Sequence, residues 1–284
     1  MKKVVGYPLP LGVSENNGIV NFSIAVESGK KCSLCIYKKG EDDPTLEVEL
    51  TEDEAVGEVR FTAFPLKQVA GMEYCYSIDG ECKKDPYTRG VISFEPYDWE
   101  EDKPLRIPFH ETIAYNLHVR GFTKHTSSKV AYKGTFAGVV EKIPYLQELG
   151  INQIQCMPVY DFEETENYKN YWGYGKAFCF TVKDAYASGN RPEVELKDMV
   201  KACHKAGIEV VLNLPFTDAT PKQLIIDCLQ YYVMEFHVDG FILNPYNAPM
   251  EQIYSNPILK GTKILQNKDD FQNVMRHVLQ DDMP

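Results

Sequence analysis

Three short runs end in side chains that could meet a ligand: EVVLNL at 209–214, VDGFILNPY at 238–246 and TKILQN at 262–267. Their apolar stretches lead to Asn213, Asn244 and Asn267. A primary amide donates and accepts hydrogen bonds, but it has no negative oxygen with which to attack an electrophilic carbon. The carboxylates in these runs are Glu209 and Asp239, and an unorthodox acid–base chemistry would have to use them. Other reactive types are scattered. Cys32 and Cys35 form a CxxC within KKCSLCIY, which reads as a strand. Residues three apart in a strand point to opposite faces, so the pair is a poor metal or redox motif. The eight cysteines read as buried, reduced thiols of a cytoplasmic protein. The six histidines, His118 and His204 among them, lack metal-ligand spacing and read as structural; no metal or cofactor is expected. The acidic runs EDDP, DWEED and DFEETE read as solvated loops.

Composition narrows the partners. The net charge of −11 opposes nucleic acid or an anionic membrane, both of which attract basic surfaces. No apolar run is long enough for a membrane span, and MKKVVGYPLPLGVSENNG has no apolar segment of signal-peptide type. With 284 residues, 44% hydrophobic and 25% charged, the chain has material for about two domains.

Two textures divide it. Residues 1–105 read as short strands separated by turns: GIVNFSIAV, KKCSLCIYKK, EVRFTAF and EYCYSIDG alternate β-branched or aromatic residues, the pattern of a β-sandwich. Over 106–284, strands alternate with amphipathic helices, as in a parallel sheet or barrel. Strands are expected at 113–119, 153–159, 208–214, 240–244 and 262–267. A helix before Gly150 should bury Val139, Ile143, Leu146 and Leu149. A second should bury Leu196, Met199, Val200 and Cys203. A third, opened by Thr220-Pro221, should bury Leu224, Ile225, Cys228, Leu229, Tyr232 and Phe236, and DDFQNVMRHVLQ should form a last helix.

The order of these pieces resembles the alpha-amylase superfamily, on its pullulanase and isoamylase (glycogen debranching) branch. GYPLPLGV, GIVNFSIAV and DPYTRGV are similar to an isoamylase N-terminal domain; YNLHVRGFT, KGTFAGVVEKIPYLQELGINQIQCMPVYDF, NYWGY and AYAS are similar to the first barrel units and the loop beside the substrate cleft. The resemblance implies an N-terminal immunoglobulin-like β-sandwich followed by a TIM-type (β/α) barrel. It also implies retaining glycoside hydrolysis, in which two carboxylates about 5–5.5 Å apart act as nucleophile and acid.

Against the family's pattern the key positions differ. In EVVLNL, Glu209 stands for an aspartate, Asn213 is kept, and Leu214 replaces a sugar-binding histidine. In GFILN, Ile242 replaces an arginine and Asn244 the nucleophile; in TKILQN, Asn267 takes the place of the acid. The resemblance places Tyr171 and Trp172 where an aromatic ring stacks on glucose, with packing as the competing role, while Trp99 reads as a packing residue. From Ile113 onward the chain falls short of the ~200 residues near the lower limit for an eight-stranded barrel, so an incomplete barrel is expected. Its open edges would be covered by the N-terminal part, a terminal segment or a second copy of the chain. The resulting reading is a catalytically inactive relative that binds α-glucan weakly or acts as a scaffold. The alternative is an active α-1,6-glucan hydrolase with non-standard residues.

Overall fold

The computed structural model describes residues 1–80, 89–94, 96–162, 164, 170–174 and 177–266. The chain divides into two compact units, Met1–Tyr97 and Asp98–Pro284.

Among its described residues the first unit holds seven strands: β1 (Gly12–Asn16), β2 (Ile19–Ala25), β3 (Cys32–Tyr37), β4 (Leu46–Glu49), β5 (Val59–Pro65), β6 (Glu73–Ile78) and β7 (Gly90–Val91), with a short helix α1 (Leu66–Val69). They make two antiparallel sheets, ordered β1-β2-β5 and β4-β3-β6-β7. The inward residues of both sheets, Val20, Phe22 and Phe64 from one and Cys32, Leu34 and Ile36 from the other, share one apolar core. Alternation along each strand dictates this: every second side chain leaves water. The same alternation puts Cys35 on the face opposite Cys32, directly across from Cys75 on β6. The CxxC therefore cannot close on one ligand.

The second unit is built on β8 (Ala114–Leu117), β9 (Gln153–Cys156), β12 (Glu209–Asn213), β13 (Gly240–Leu243) and β14 (Lys263–Gln266), with the hairpin β10 (Tyr160–Phe162) and β11 (Ala177–Val182) between β9 and β12. The five strands form one parallel sheet in sequential order, β8 and β14 being its edges among the described residues. All five lie where the sequence places them. The helices are α2 (Val119–Lys124), α3 (Phe136–Glu141), α4 (Ile143–Glu148), α5 (Pro192–Lys205), α6 (Lys222–Phe236) and α7 (Met250–Ser255). Ile154, Cys156, Val210, Leu212, Phe241 and Leu243 pack one sheet face against them. No helix among the described residues is long and apolar enough to cross a membrane.

Several local expectations need correction. The helix foreseen before Gly150 is two helices, because Pro144 falls in the first turn of α4 and cannot donate to the preceding turn. Leu149 caps α4 and is 48% exposed, while Val139, Ile143 and Leu146 are buried. Leu224 is half-buried at the mouth of a cavity. The Thr220 hydroxyl accepts from the Thr217 N–H (3.2 Å), so it closes the preceding turn instead of capping α6. The antiparallel β10–β11 hairpin was not anticipated, since it interrupts the strand–helix alternation. Asn267 and the helix expected from DDFQNVMRHVLQ lie outside the described residues, as does most of DPYTRGV.

Candidate functional site

In a parallel sheet of this kind, ligands meet the carboxyl ends of the strands, where the connecting loops converge. Parallel register brings Asn213 on β12 opposite Ile242 on β13, and Leu243 opposite Gln266 on β14. Asn244 follows directly at the strand end. Its side-chain oxygen accepts the Tyr246 N–H (2.9 Å), an Asx turn across Pro245, and its carbonyl accepts from Asn247 and Ala248. The amide is thus engaged in closing the chain's own turn. Leu214 is buried on the helix-covered face and Ile242 is half-buried on the other.

Glu209 lies at the opposite, amino-terminal end of the sheet and is fully buried. Its Oε1 accepts the Ile107 N–H (2.8 Å) and its Oε2 accepts the Gln153 side-chain amide (2.9 Å). Lys263 from β14 forms an ion pair with the same Oε2. Gln155 donates to Gln153 (3.0 Å), extending a polar ladder across the face away from the helices. This face carries polar side chains because Gln153, Gln155, Glu209 and Lys263 all occupy the same strand parity. Glu209 is the only carboxylate on the five described strands of this sheet, and its oxygens are taken by an amide, a backbone N–H and an ammonium.

The aromatic pair sits at the carboxyl end of β8. His118 follows Leu117 and accepts the Gly121 N–H on Nδ1 (2.9 Å), which leaves the proton on Nε2. That Nε2 donates to the Tyr171 carbonyl (2.6 Å), with the Tyr186 hydroxyl 3.1 Å away. The imidazole stacks on the Tyr171 ring at 4.3 Å and 9°. Trp172 stands perpendicular to Tyr171 at 5.1 Å. Burial, the largest influence, lowers the His118 pKa. Tyr171 and Trp172 are nonetheless 39% and 38% exposed, so the same rings are packed on one side and open on another. Both roles weighed for them from the sequence are compatible with this geometry.

Some carboxylates of two acidic runs are paired or drawn out of solvent, while Asp98, Glu100 and Glu101 stay exposed as expected. In DWEED, the Asp102 carboxylate is buried: one oxygen meets His204 Nδ1 (2.8 Å), the other His237 Nδ1 (2.7 Å). His204 Nε2 meets Asp239 Oδ2 (2.8 Å), which also accepts the Val210 N–H (2.7 Å). Trp99 stacks on His237 at 3.8 Å, the packing role its sequence suggested. In DFEETE, Asp161 and Glu164 pair with Lys183, and Glu164 with Arg120. Local sequence cannot reveal these partners because they lie up to 135 residues away. Asp184, which follows Lys183, is held up at about 6 by partial burial and by the neighbouring Asp161 and Glu193 carboxylates. Among the described residues no group of His, Cys, Asp and Glu could hold a metal ion.

Comparison with known proteins agrees with this architecture. The family model described as alpha amylase, catalytic domain, matches residues 116–223. The chain is 29% identical to the chloroplastic Isoamylase 1 of Oryza sativa subsp. japonica, over 84% of this chain and 42% of that protein. It is 28% identical to a glycogen operon protein GlgX homolog of Haemophilus influenzae, over 83% of this chain and 49% of the relative. The chain thus spans about half the length of the curated relatives it matches. In structure it is similar to a pullulanase from Paenibacillus barengoltzii crystallised with maltohexaose and alpha-cyclodextrin, with a TM-score of 0.67 and 18% identity, covering 87% of this chain and 50% of that one. Residues 116–223 thus match the alpha-amylase catalytic domain, and the chain's relatives by sequence are isoamylases and glycogen debranching proteins.

Proposed function

We propose that this chain is a non-catalytic relative of the α-glucan debranching hydrolases that keeps weak α-glucan contact through Tyr171 and Trp172. The observation that carries the reading is the Asn244 turn: where the resemblance calls for a nucleophilic carboxylate, an amide accepts the Tyr246 N–H. Retaining hydrolysis needs two carboxylates about 5–5.5 Å apart. Glu209, at the other end of its strand and paired with Lys263, cannot take that part without breaking a buried ion pair. In this reading the first unit, Met1–Tyr97, is an immunoglobulin-like sandwich of the isoamylase N-terminal type, and the second, from Asp98, is a (β/α)-barrel sheet. The protein works in the cytoplasm, where its thiols stay reduced.

Reducing-sugar release from pullulan, glycogen and amylopectin tests the absence of catalysis and should stay at background. Retarded migration in a glycogen-containing native gel tests binding; Tyr171→Ala and Trp172→Ala should each abolish it, and unchanged retardation would remove the proposed contact. Reproducible turnover by the wild-type chain would establish the rival, active reading. The edges β8 and β14 suit pairing with a second copy; a clean monomer by light scattering at micromolar concentration would exclude it.

A further inference from the structure

Behind the carboxyl end of β12 lies a cavity of about 240 Å³ lined by Tyr160, Cys179, Phe216, Thr220 and Leu224, among others. Its volume is several times the ~30 Å³ that one water occupies in the liquid, so a small peroxide fits. Cys179, on β11, is half-buried and forms part of the wall. Directly behind it stands Cys228 on α6, fully buried, with its sulfur 3.6 Å from the Cys179 carbonyl oxygen. That contact sets the Cys228 thiol against the same residue whose side chain borders the cavity. One cysteine therefore faces a space that a small molecule can enter, and the other is poised behind it.

We propose that Cys179 and Cys228 form an oxidisable dithiol, in which a hydroperoxide attacked by Cys179 leads to a Cys179–Cys228 disulfide. In the first step the Cys179 thiolate attacks the peroxide. An S–O bond forms and the O–O bond breaks, giving a sulfenic acid and releasing water or an alcohol. In the second step the Cys228 sulfur attacks the sulfenic sulfur. The S–S bond forms, the S–O bond breaks, and hydroxide leaves as water with the Cys228 proton. The two thiols lose two electrons and the peroxide gains them.

The environment separates the two roles. The neighbouring Cys228 side chain lowers the Cys179 thiol pKa against the opposing effect of burial. Cys228 is raised, chiefly by burial, and remains a thiol until the sulfenic acid forms beside it. The remaining core thiols serve as internal controls: burial pushes Cys156 up to about 12, and Cys203 is raised as well. Cys35 and Cys75, paired across β3 and β6, are a second adjacent pair against which the assignment can be judged.

The experiment exposes the folded full chain to hydrogen peroxide and follows intact mass and non-reducing peptide maps. Wild type should lose the mass of two hydrogens, with a Cys179–Cys228 peptide that dithiothreitol separates. In Cys228→Ser the resolving step is blocked, and dimedone should trap a sulfenic acid on Cys179. Iodoacetamide should label Cys179 in the reduced wild type at least about tenfold faster than Cys156 or Cys203. That labelling is a readout of the unmutated chain, independent of whether the variant folds. A link only between Cys35 and Cys75, peroxide-resistant Cys179, or equal labelling of the three cysteines would overturn the proposal. These readouts contain no glucan, so their failure is distinct from failure of the binding site proposed above.

Discussion

His204 lies within 2.8 Å of a carboxylate oxygen at each ring nitrogen, Asp102 on one side and Asp239 on the other. With both carboxylates ionised, only the imidazolium can donate to both. Burial opposes that charge, but Asp239 and then Asp102 more than offset it, and the His204 pKa is raised. The folded value thus exceeds the unfolded value of about 6.5, so the stabilisation is complete below that pH and is lost as pH rises through the folded pKa. Urea unfolding should show stability falling between about pH 6.5 and alkaline pH. In His204→Gln this dependence should disappear. Lys263 has a comparable position at another buried carboxylate, Glu209. Lys263→Ala leaves Glu209 buried without its cation and should cost about 3–5 kcal/mol in chemical denaturation. Lys263→Met combined with Glu209→Gln should recover part of that loss, because neither partner is then a stranded charge.

At the scale of elements, close approach matters most. A Cβ at Gly240 would stand 2.5 Å from the Lys263 carbonyl, so β13 and β14 pair only because that position has no side chain. Gly240→Ala should destabilise the second unit by roughly 1–3 kcal/mol, measured by thermal or urea unfolding. The aromatic ledge has a similar constraint. A Cβ at Gly121 would meet the Tyr171 hydroxyl at 2.4 Å. Gly121→Ala should therefore displace Tyr171 from its stack on His118 and abolish glycogen retardation, with the overall unfolding midpoint changing little. Unaltered retardation would mean that the position of Tyr171 does not matter for binding.

For the whole molecule, the proposed loss of chemistry is distributed. Asn244 closes a turn, Ile242 packs, and Glu209 is committed to Lys263 at the far end of its strand. Restoring one group should therefore not restore turnover. Asn244→Asp with Ile242→Arg should leave reducing-sugar release at background, because one carboxylate lacks its proton-donating partner. Measurable hydrolysis by that double variant would mean that the rest of the catalytic arrangement persists.

Much of this architecture was legible in the chain itself. The five parallel strands and the buried faces of α5 and α6 follow from periodicity, since residue spacing decides which side chains share a face. The order of YNLHV, EVVLNL and GFILN likewise carries the family resemblance, and Asn244, where the resemblance implies a nucleophilic carboxylate, carries the proposed change in chemistry. Tertiary structure alone decided which charges are buried and what holds them. Asp102 reads as one more acidic residue of an exposed loop, yet it bonds two histidines more than a hundred residues away. Glu209 finds Lys263 only when the intervening β13 brings β12 and β14 close, and Cys228 comes behind Cys179 only when α6 folds against β11. Local sequence sets strand, helix and face through short-range sterics and the removal of apolar side chains from water. The partner of a buried charge or thiol is set by which distant segments the completed fold makes neighbours.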